Sequence, residues 1–210
     1  TALVEAPMAA AIGAGADVME PGGIMVVDIG AQVTDIGVLS TGGIVVSDRL
    51  RIGGASMDRA IQAHARNVHG LVLGQRSAEK VKIELGAEGW TGREASAVAH
   101  GRNLADGLPR EETLKAREVS SALEHAVNQI IESARCVFGC TPPELAADIA
   151  AGGIILTGGG SRLAGLSGFM SERMGVAFRV ALDPDTCVIR GIGELLHGMD
   201  PRVTCAWKGV

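Results

Sequence analysis

Apolar residues in the first quarter of the chain come in short runs that are typical of β-strands. Strands are predicted at 24–29, 34–40 and 43–50, and the Thr41-Gly42-Gly43 run is a predicted hairpin connection. Positions 5–16, ahead of these strands, are small and helix-forming, and Pro7 suits a first helical turn. The first fifty residues are therefore predicted to form a helix followed by three strands.

Further along the chain, apolar positions recur at the 3.6-residue spacing of amphipathic helices. The predicted helices lie at 57–67, 77–85, 119–138, 141–150, 163–174 and 186–196. Further strands are predicted at 153–157 and 176–180, with strand-like pieces at 95–99 and 111–114. Strands interspersed with helices of these lengths indicate an α/β layered fold.

Two of the predicted strands run directly into glycine. The strand at 153–157 is followed by Gly158, Gly159, Gly160 and Ser161, and the strand at 24–29 leads through Asp28 to Gly30. Glycine has no Cβ, so main-chain N–H groups at such turns can approach a phosphate closely. Glycine triplets also make ordinary tight turns, and Asp28 could open a β-turn instead of binding a metal. The occurrence of two such turns in one chain favours a nucleotide cleft.

The composition narrows the class of protein. The chain has 210 residues, of which 47% are hydrophobic, 20% charged and 2% aromatic, so a core of aliphatic side chains is expected. A net charge of −5 without a basic stripe argues against a nucleic-acid partner. The five histidines show no metal-ligand spacing, and structural or surface roles are predicted for them. Free thiols are predicted for the cysteines, which are Cys136, Cys140, Cys187 and Cys205.

Two groups of charged residues allow two interpretations each. Glu79, Lys80 and Lys82 could form a solvated helix face, or Glu79 could bind ribose hydroxyls while a lysine covers a base. Glu5, two residues before Pro7, could interact favourably with the helix dipole, or it could orient a water that faces a γ-phosphate. The sequence alone leaves both pairs open.

Seven blocks, in order, resemble the MreB/Mbl family, the bacterial actin homologues that direct rod-shaped growth. They are EAPMAAAIGAG (5–15), VVDIG (26–30), RIGG (51–54), AEKVKIELG (78–86), GRNLADGLPR (101–110), TPPELA (141–146) and LTGGG (156–160). The resemblance runs from about residue 5 to residue 196, nearly the whole chain, and the shared order of the blocks makes it specific.

The resemblance implies an α/β actin-like ATPase fold, a ribonuclease H-like β-sheet with flanking helices. The chain would contain mainly the second large domain with its small subdomain. The implied divisions are a helix of the truncated first domain (1–23), a nucleotide-binding core with a phosphate hairpin (24–76), the small subdomain (77–116), the remaining core with the adenosine motif and C-terminal helix (117–196), and a tail (197–210).

The resemblance also implies ATP and Mg²⁺ as cofactors. Glu5 would act on the attacking water, and Asp28 would hold the metal and its water shell, so these two are the predicted catalytic residues. The predicted nucleotide contacts come from the two glycine turns and the helix after residue 77. They are Gly30, Ala31, Gln32, Val33, Glu79, Lys80, Val81, Lys82, Gly158, Gly159, Gly160 and Ser161.

One of these loops departs from the family pattern. The family runs Asp-Ile-Gly-Gly-Gly-Thr-Thr, whereas this chain has Asp-Ile-Gly-Ala-Gln-Val-Thr at 28–34. Ala31 and Gln32 are expected to strain the loop by about 1–3 kcal/mol each. Val33 replaces a threonine that would help to position the attacking water, and losing one such donor costs about a hundredfold in rate. Thr34 could substitute only if the loop shifted by one residue.

Family members also carry a first phosphate loop and a membrane-contacting segment ahead of the part matched here. We therefore expect either a piece of a longer polypeptide or a shortened paralogue, with weak or absent ATPase activity. The resemblance implies a cytoplasmic protein that forms homopolymer filaments and works with cell-wall synthesis proteins, with membrane contact through the missing segments. The alternatives are a non-hydrolysing actin-fold interaction module and an actin-fold sugar or acetate kinase or chaperone ATPase.

Overall fold

The computed structural model describes residues 3–86 and 89–197. The strands are β1 (Ile24–Ile29), β2 (Thr34–Ser40), β3 (Gly43–Leu50), β4 (Leu71–Val72), β5 (Ser96–Asn103), β6 (Pro109–Lys115), β7 (Ile154–Thr157) and β8 (Phe178–Val180). The α-helices are α1 (Ala6–Gly13), α2 (Gly54–His69), α3 (Gln75–Leu85), α4 (Ala116–Gly139), α5 (Pro143–Gly152), α6 (Leu166–Met174) and α7 (Cys187–Leu196). Two 3-10 turns lie at Gly159–Arg162 and Pro184–Thr186.

Five strands form the central sheet in the order β3-β2-β1-β7-β8. β1, β2 and β3 are antiparallel neighbours joined by hairpins, whereas β1, β7 and β8 run parallel. β1 and β7 are short apolar strands in the middle of the sheet, and burial on both faces suits such sequences. In this register Asp28 lies between Asp35 of β2 and Thr157 of β7.

The two faces of the sheet bury different helices. Met25, Val27 and Ile29 join the larger core, which includes the buried side of α4. Val26 belongs to the smaller core on the other face, which contains the small residues of α1. The small side chains of α1 let it pack closely against α7.

A second sheet has three strands in the order β4-β5-β6. The strand-like pieces predicted at 95–99 and 111–114 pair as expected, but both strands are longer than predicted. β4 has only two residues and was not predicted. The predicted helix at 163–174 begins instead at Leu166, because the glycine turn first forms a 3-10 turn, and the strand predicted at 176–180 begins at Phe178.

The connections support this arrangement locally. α4 begins at a capping box in which the Glu118 carboxylate accepts the N–H of Lys115 at 2.9 Å. Among the helices of the described residues, none is both long and apolar enough to cross a membrane. The domain boundaries drawn from the sequence stay predictions, although α1, assigned there to the first domain, packs in one layer with α7.

The contact between α1 and α7 depends on two glycines. A Cβ at Gly191 would collide with the carbonyl oxygen of Ala9, and one at Gly13 would collide with that of Cys187. Gly193, two residues along α7, has open space around its Cβ position. Gly191 therefore sets the distance between the two helices, whereas Gly193 does not.

We predict that Gly191→Ala lowers the free energy of unfolding by about 1–3 kcal/mol, since two packed backbones would have to separate. Gly193→Ala, on the same helix, should leave stability unchanged or raise it by about 0.5–1 kcal/mol through helix propensity. Urea unfolding of both variants measures the difference. Equal effects from the two substitutions would contradict this packing.

Candidate functional site

A cleft of about 350 Å³ opens where the turns after β1 and β7 meet the start of α2 and one side of α3. Four segments line it. The lining residues are Gly30, Ala31, Gly54, Ala55, Met57, Asp58, Gln75, Glu79, Lys82, Ile83, Gly159, Gly160, Arg162 and Leu163.

The turn after β1 is held by the start of α2. The Gly30 N–H donates to the Val33 carbonyl at 2.9 Å, closing the turn. The N–H groups of Gly54 and Ala55 donate to the carbonyls of Gly30 and Ala31 at 3.0 and 2.7 Å. Within residues 3–86 and 89–197, the N–H groups of 31–33 have no hydrogen-bond acceptor. The positive end of the α2 dipole and these free donors both favour an anion here.

The strain expected in this turn is absent. In the described part of the chain, Thr41 and Asp183 are the non-glycine residues with positive φ, so Ala31 and Gln32 keep ordinary backbone angles. The expectation of a strained loop was therefore wrong. Gln32 lies apart from the lining of the cleft, in a surface depression that it shares with Val33 and Arg51.

Thr34 is not available to replace the missing threonine at position 33. Its side chain is fully buried, and its hydroxyl donates to the Ile52 carbonyl at 2.8 Å. A hydroxyl held in this way does not face a phosphate. The turn therefore lacks a free hydroxyl at both positions.

The three glycines after β7 have different roles. Gly158 has a φ of +79°, and a Cβ there would lie 2.8 Å from Asp28 Oδ1 and collide with the Ile29 backbone. A Cβ at Gly160 would collide with the Ile29 side chain, whereas Gly159 has open space beside it. Gly158 and Gly160 are thus required for packing against β1, and Gly159 leaves room in the cleft. Ser161 is buried, and its hydroxyl donates to the Gly158 carbonyl at 2.7 Å.

Asp28 is a carboxylate held within the sheet. The Thr157 hydroxyl donates to its Oδ1 at 2.8 Å. Burial raises the pKa of Asp28 above its ordinary value, the Thr157 hydrogen bond opposes that shift, and the neighbouring Asp35 adds to it. Burial also raises the pKa of Asp35. The Arg49 guanidinium, whose Nε lies 3.4 Å from Asp35 Oδ1, partly offsets this rise. Two neighbouring carboxylates that burial disfavours as anions suit a divalent cation.

Glu5 lies at the exposed N-terminus of α1, where its side chain makes no capping hydrogen bond. Pro7 of the same helix packs against Gly37 of β2. Side chains alternate along a strand, so Gly37 and Asp35 lie on the same face of the sheet. Glu5 therefore belongs to the face that carries Asp35, but it does not line the cleft described above.

α3 contributes Glu79 and Lys82 to the cleft, but Lys80 is exposed outside it and Val81 is buried in the core. The Lys82 ammonium lies 2.8 Å from Asp58 Oδ1 and 3.2 Å from the Gly54 carbonyl. Both side chains of this ion pair are buried, so it fixes α3 to the start of α2. Glu79 stays exposed at the edge of the cleft.

Several lining residues were not predicted from the sequence. Asp58 and Gln75 come from helices whose relative placement no local pattern reveals. Arg162 lies just after the glycine triplet and forms an ion pair with Asp185 at 2.6 Å. The Arg-Ile-Gly-Gly block at 51–54 was the available signal for Gly54, because it ends at the start of α2.

Comparison with known proteins gives a family match over almost the whole chain. The family model described as MreB/Mbl protein matches residues 1–203. Cell shape-determining protein MreB of Escherichia coli (strain K12) is 43% identical over 199 residues, which is 94% of this chain and 57% of that protein. Cell shape-determining protein Mbl of Bacillus subtilis (strain 168) is 41% identical over 198 residues, which is 94% of this chain and 60% of that protein. The chain thus spans less than two thirds of these relatives.

Solved structures agree on the fold. MreB5 of Spiroplasma citri bound to ADP has a TM-score of 0.88 at 32% identity, covering 91% of this chain and 58% of that one. A MamK double helical filament has a TM-score of 0.76 at 25% identity, covering 94% of this chain and 60% of the other. The predicted α/β actin-like ATPase fold is confirmed.

We predict that Gly158→Ala and Gly159→Ala separate packing from binding. Gly158→Ala should lower the free energy of unfolding by about 2–4 kcal/mol, because it combines a left-handed φ with a collision against β1. Gly159→Ala should change stability by less than about 1 kcal/mol while weakening adenine-nucleotide binding about tenfold, since its Cβ would occupy the cleft. Urea unfolding and a fluorescent-nucleotide titration measure the two effects. Comparable losses of stability would refute the assignment.

We predict that Asp28→Asn stabilises the fold at neutral pH. The pKa of Asp28 is raised from 3.8 in the folded chain, so the fold favours the neutral carboxyl and loses stability as pH rises above that value. Asparagine keeps an acceptor for Thr157 without the charge. The melting temperature should rise by about 2 °C or more at pH 7, and the difference should shrink below about pH 4. The exposed Glu84→Gln is the control, and a destabilised Asp28→Asn at pH 7 would contradict the argument.

Proposed function

The chain belongs to the MreB/Mbl family, and we propose that it is the nucleotide-binding part of a cytoskeletal protein that governs cell shape. The cleft beside the two glycine turns carries this proposal. It combines the free backbone donors of the turn after β1 with the N-terminus of α2, and Asp28 and Asp35 lie near the same ends of β1 and β2 without lining the cleft. The structure of MreB5 of Spiroplasma citri was determined with ADP and with AMPPNP, which supports an adenine nucleotide as ligand here.

We assign the ligand groups by their chemistry. The phosphates would accept hydrogen bonds from the N–H groups of 31–33 and lie beside Gly159. Glu79, at the exposed edge of the cleft, would accept hydrogen bonds from the ribose hydroxyls. The base would then lie between α3 and the turn that contains Arg162. Lys82, already paired with Asp58, would shape the wall rather than contact the base directly.

Mg²⁺ fits the neighbouring carboxylates of Asp28 and Asp35, which lie on β1 and β2 beside the cleft. Asp28 would hold it, directly or through water, because its Oδ1 accepts from Thr157 while its Oδ2 makes no hydrogen bond within the described part of the chain. Asp35 is the adjacent carboxylate. Bound Mg²⁺ would supply positive charge beside the phosphates. Glu5 would orient the attacking water, as the family resemblance implies.

ATP turnover should nevertheless be weak. Val33 offers no hydroxyl, and that of Thr34 is committed to Ile52. A non-hydrolysing module that keeps the fold and its protein contacts is therefore the second candidate function. Binding and turnover of Mg²⁺-ATP distinguish the two.

We extend the proposal to assembly and location. The MamK structure is a double helical filament, which supports the proposal that this chain self-associates into filaments. The names of its MreB and Mbl relatives support a role in cell shape, and hence contact with wall-synthesis proteins. We propose a cytoplasmic protein that reaches the membrane surface through other segments.

The test titrates a fluorescent ATP analogue with Mg²⁺ into the purified chain and then measures phosphate release. We predict micromolar binding with slow turnover for the natural sequence. Val33→Thr should raise turnover about tenfold or more with unchanged affinity, because it restores a hydroxyl donor. Ala31→Gly and Gln32→Gly together should leave affinity within about twofold, because that turn is unstrained.

Two results would contradict the proposal. No binding up to millimolar nucleotide would remove the nucleotide site from this chain. Binding with turnover that Val33→Thr leaves unchanged would show that the missing hydroxyl does not limit hydrolysis.

A further inference from the structure

Two histidines and a glutamate meet far from the cleft. His64 and His69 lie near the C-terminal end of α2, and Glu118 lies in the first turn of α4. One ligand atom from each falls within 4.8 Å of the other two. The two imidazole rings are 5.9 Å apart between centroids, and His69 Nε2 lies 3.5 Å from Glu118 Oε1.

One nitrogen of each histidine in this cluster forms no hydrogen bond in the described part of the chain, although that of His69 faces Glu118. Nε2 of His64 and Nε2 of His69 are both buried and form no hydrogen bond with any described residue. Buried polar atoms usually form hydrogen bonds, so two neighbouring nitrogens without one need an explanation. A shared ion between them would supply one.

The carboxylate is oriented towards the histidines. Glu118 Oε2 accepts the Lys115 N–H at 2.9 Å, and Oε1 is the oxygen that faces His69. The Glu118 side chain is 29% exposed and the His69 side chain is 17% exposed, so the cluster is only partly open to solvent. A hydrogen bond to one ligand oxygen is the kind of support that fixes metal-binding carboxylates.

We propose that His64, His69 and Glu118 bind a divalent transition-metal ion such as Zn²⁺, with water as the fourth ligand. Two imidazoles and one carboxylate form a ligand set that zinc binds. Mg²⁺ and Ca²⁺ prefer oxygen ligands, so a site with two imidazoles does not suit them. At ligand distances of about 2.0–2.2 Å, tetrahedral donors lie roughly 3.4 Å apart. The Nε2–Oε1 distance of 3.5 Å already meets this, and the remaining separations, all within 4.8 Å, need only a small side-chain rotation.

The position of the site suggests its effect. The chain enters the small sheet at Leu71, two residues after His69, and leaves it at Lys115, three residues before Glu118. An ion here would tie together both crossings between the central sheet and the unit made of β4, α3, β5 and β6. This role is independent of nucleotide binding.

No pattern in the sequence indicates this cluster. His64 and His69 are five residues apart, which is not a usual helical ligand spacing, and their partner is far along the chain. The predicted structural or surface role for these two histidines is thus replaced by a proposed ligand role.

The test titrates Co²⁺ and Zn²⁺ into the purified 210-residue chain. Cys136 and Cys140, whose thiols are exposed, and Cys205, which lies outside the described residues, are first replaced by serine, because thiols would compete for metal. We expect one equivalent of Co²⁺ to give the visible absorption of a four-coordinate site. Saturating Zn²⁺ should raise the melting temperature by about 3 °C or more.

Single variants identify the ligands. His64→Gln, His69→Gln and Glu118→Gln should each weaken Co²⁺ binding about tenfold or more. Glu118→Gln keeps an oxygen for the Lys115 N–H, so the helix cap survives. His100→Gln is the matched control, since His100 pairs with Glu111 at 3.0 Å on the exposed face of the small sheet.

Three outcomes would overturn the proposal. They are the absence of saturable one-equivalent binding to the serine-substituted chain, an equal loss of affinity in His100→Gln, and full affinity in Glu118→Gln. Circular dichroism without metal checks each variant's fold. If a histidine variant unfolds, the titration of the chain with both histidines and the Glu118→Gln result still decide the question.

Discussion

The parallel pairing of β1 with β7 is the constraint on which the rest of the site depends. It places Asp28 opposite Thr157 and brings the two glycine turns to one edge of the sheet. The fit is tight, because Gly158 leaves no room for a Cβ beside Ile29 and Asp28. A shift of either strand by one residue would place Asp28 on the other face of the sheet. It would also disrupt the packing of the glycine turn after β7 against β1.

The same constraint extends outward through α2. Since the turn after β1 is fixed, its carbonyls can accept the first N–H groups of α2, which starts at Gly54. Asp58, one turn later, then meets Lys82 and joins α3 to the core. Each element that lines the cleft is therefore held in place by the previous one, from the central sheet through α2 to α3.

This dependence explains what could be predicted from the sequence. The strand at 24–29, the helix stripe at 119–138 and the glycine turns are local patterns, and each was found near its true bounds. The partners of polar groups are not local. The bond from Thr34 to Ile52 and the ion pair of Asp58 with Lys82 join segments whose approach only the fold creates. Six of the residues predicted from the sequence therefore line the cleft, but the other eight lining residues were not predicted.

Binding and turnover separate physically in this cleft. In the proposed function, the free N–H groups of 31–33 would attract the phosphates, and the partly buried Asp28 with the buried Asp35, whose pKa values burial raises, would attract the cation. A bound cation would offset that unfavourable burial, so these groups favour ligand binding whatever happens to the phosphate. In the proposed function, hydrolysis would also need a donor that positions water, and Val33 has no hydroxyl to supply one. A chain of this sequence can thus lose catalysis while keeping the electrostatic reason to bind.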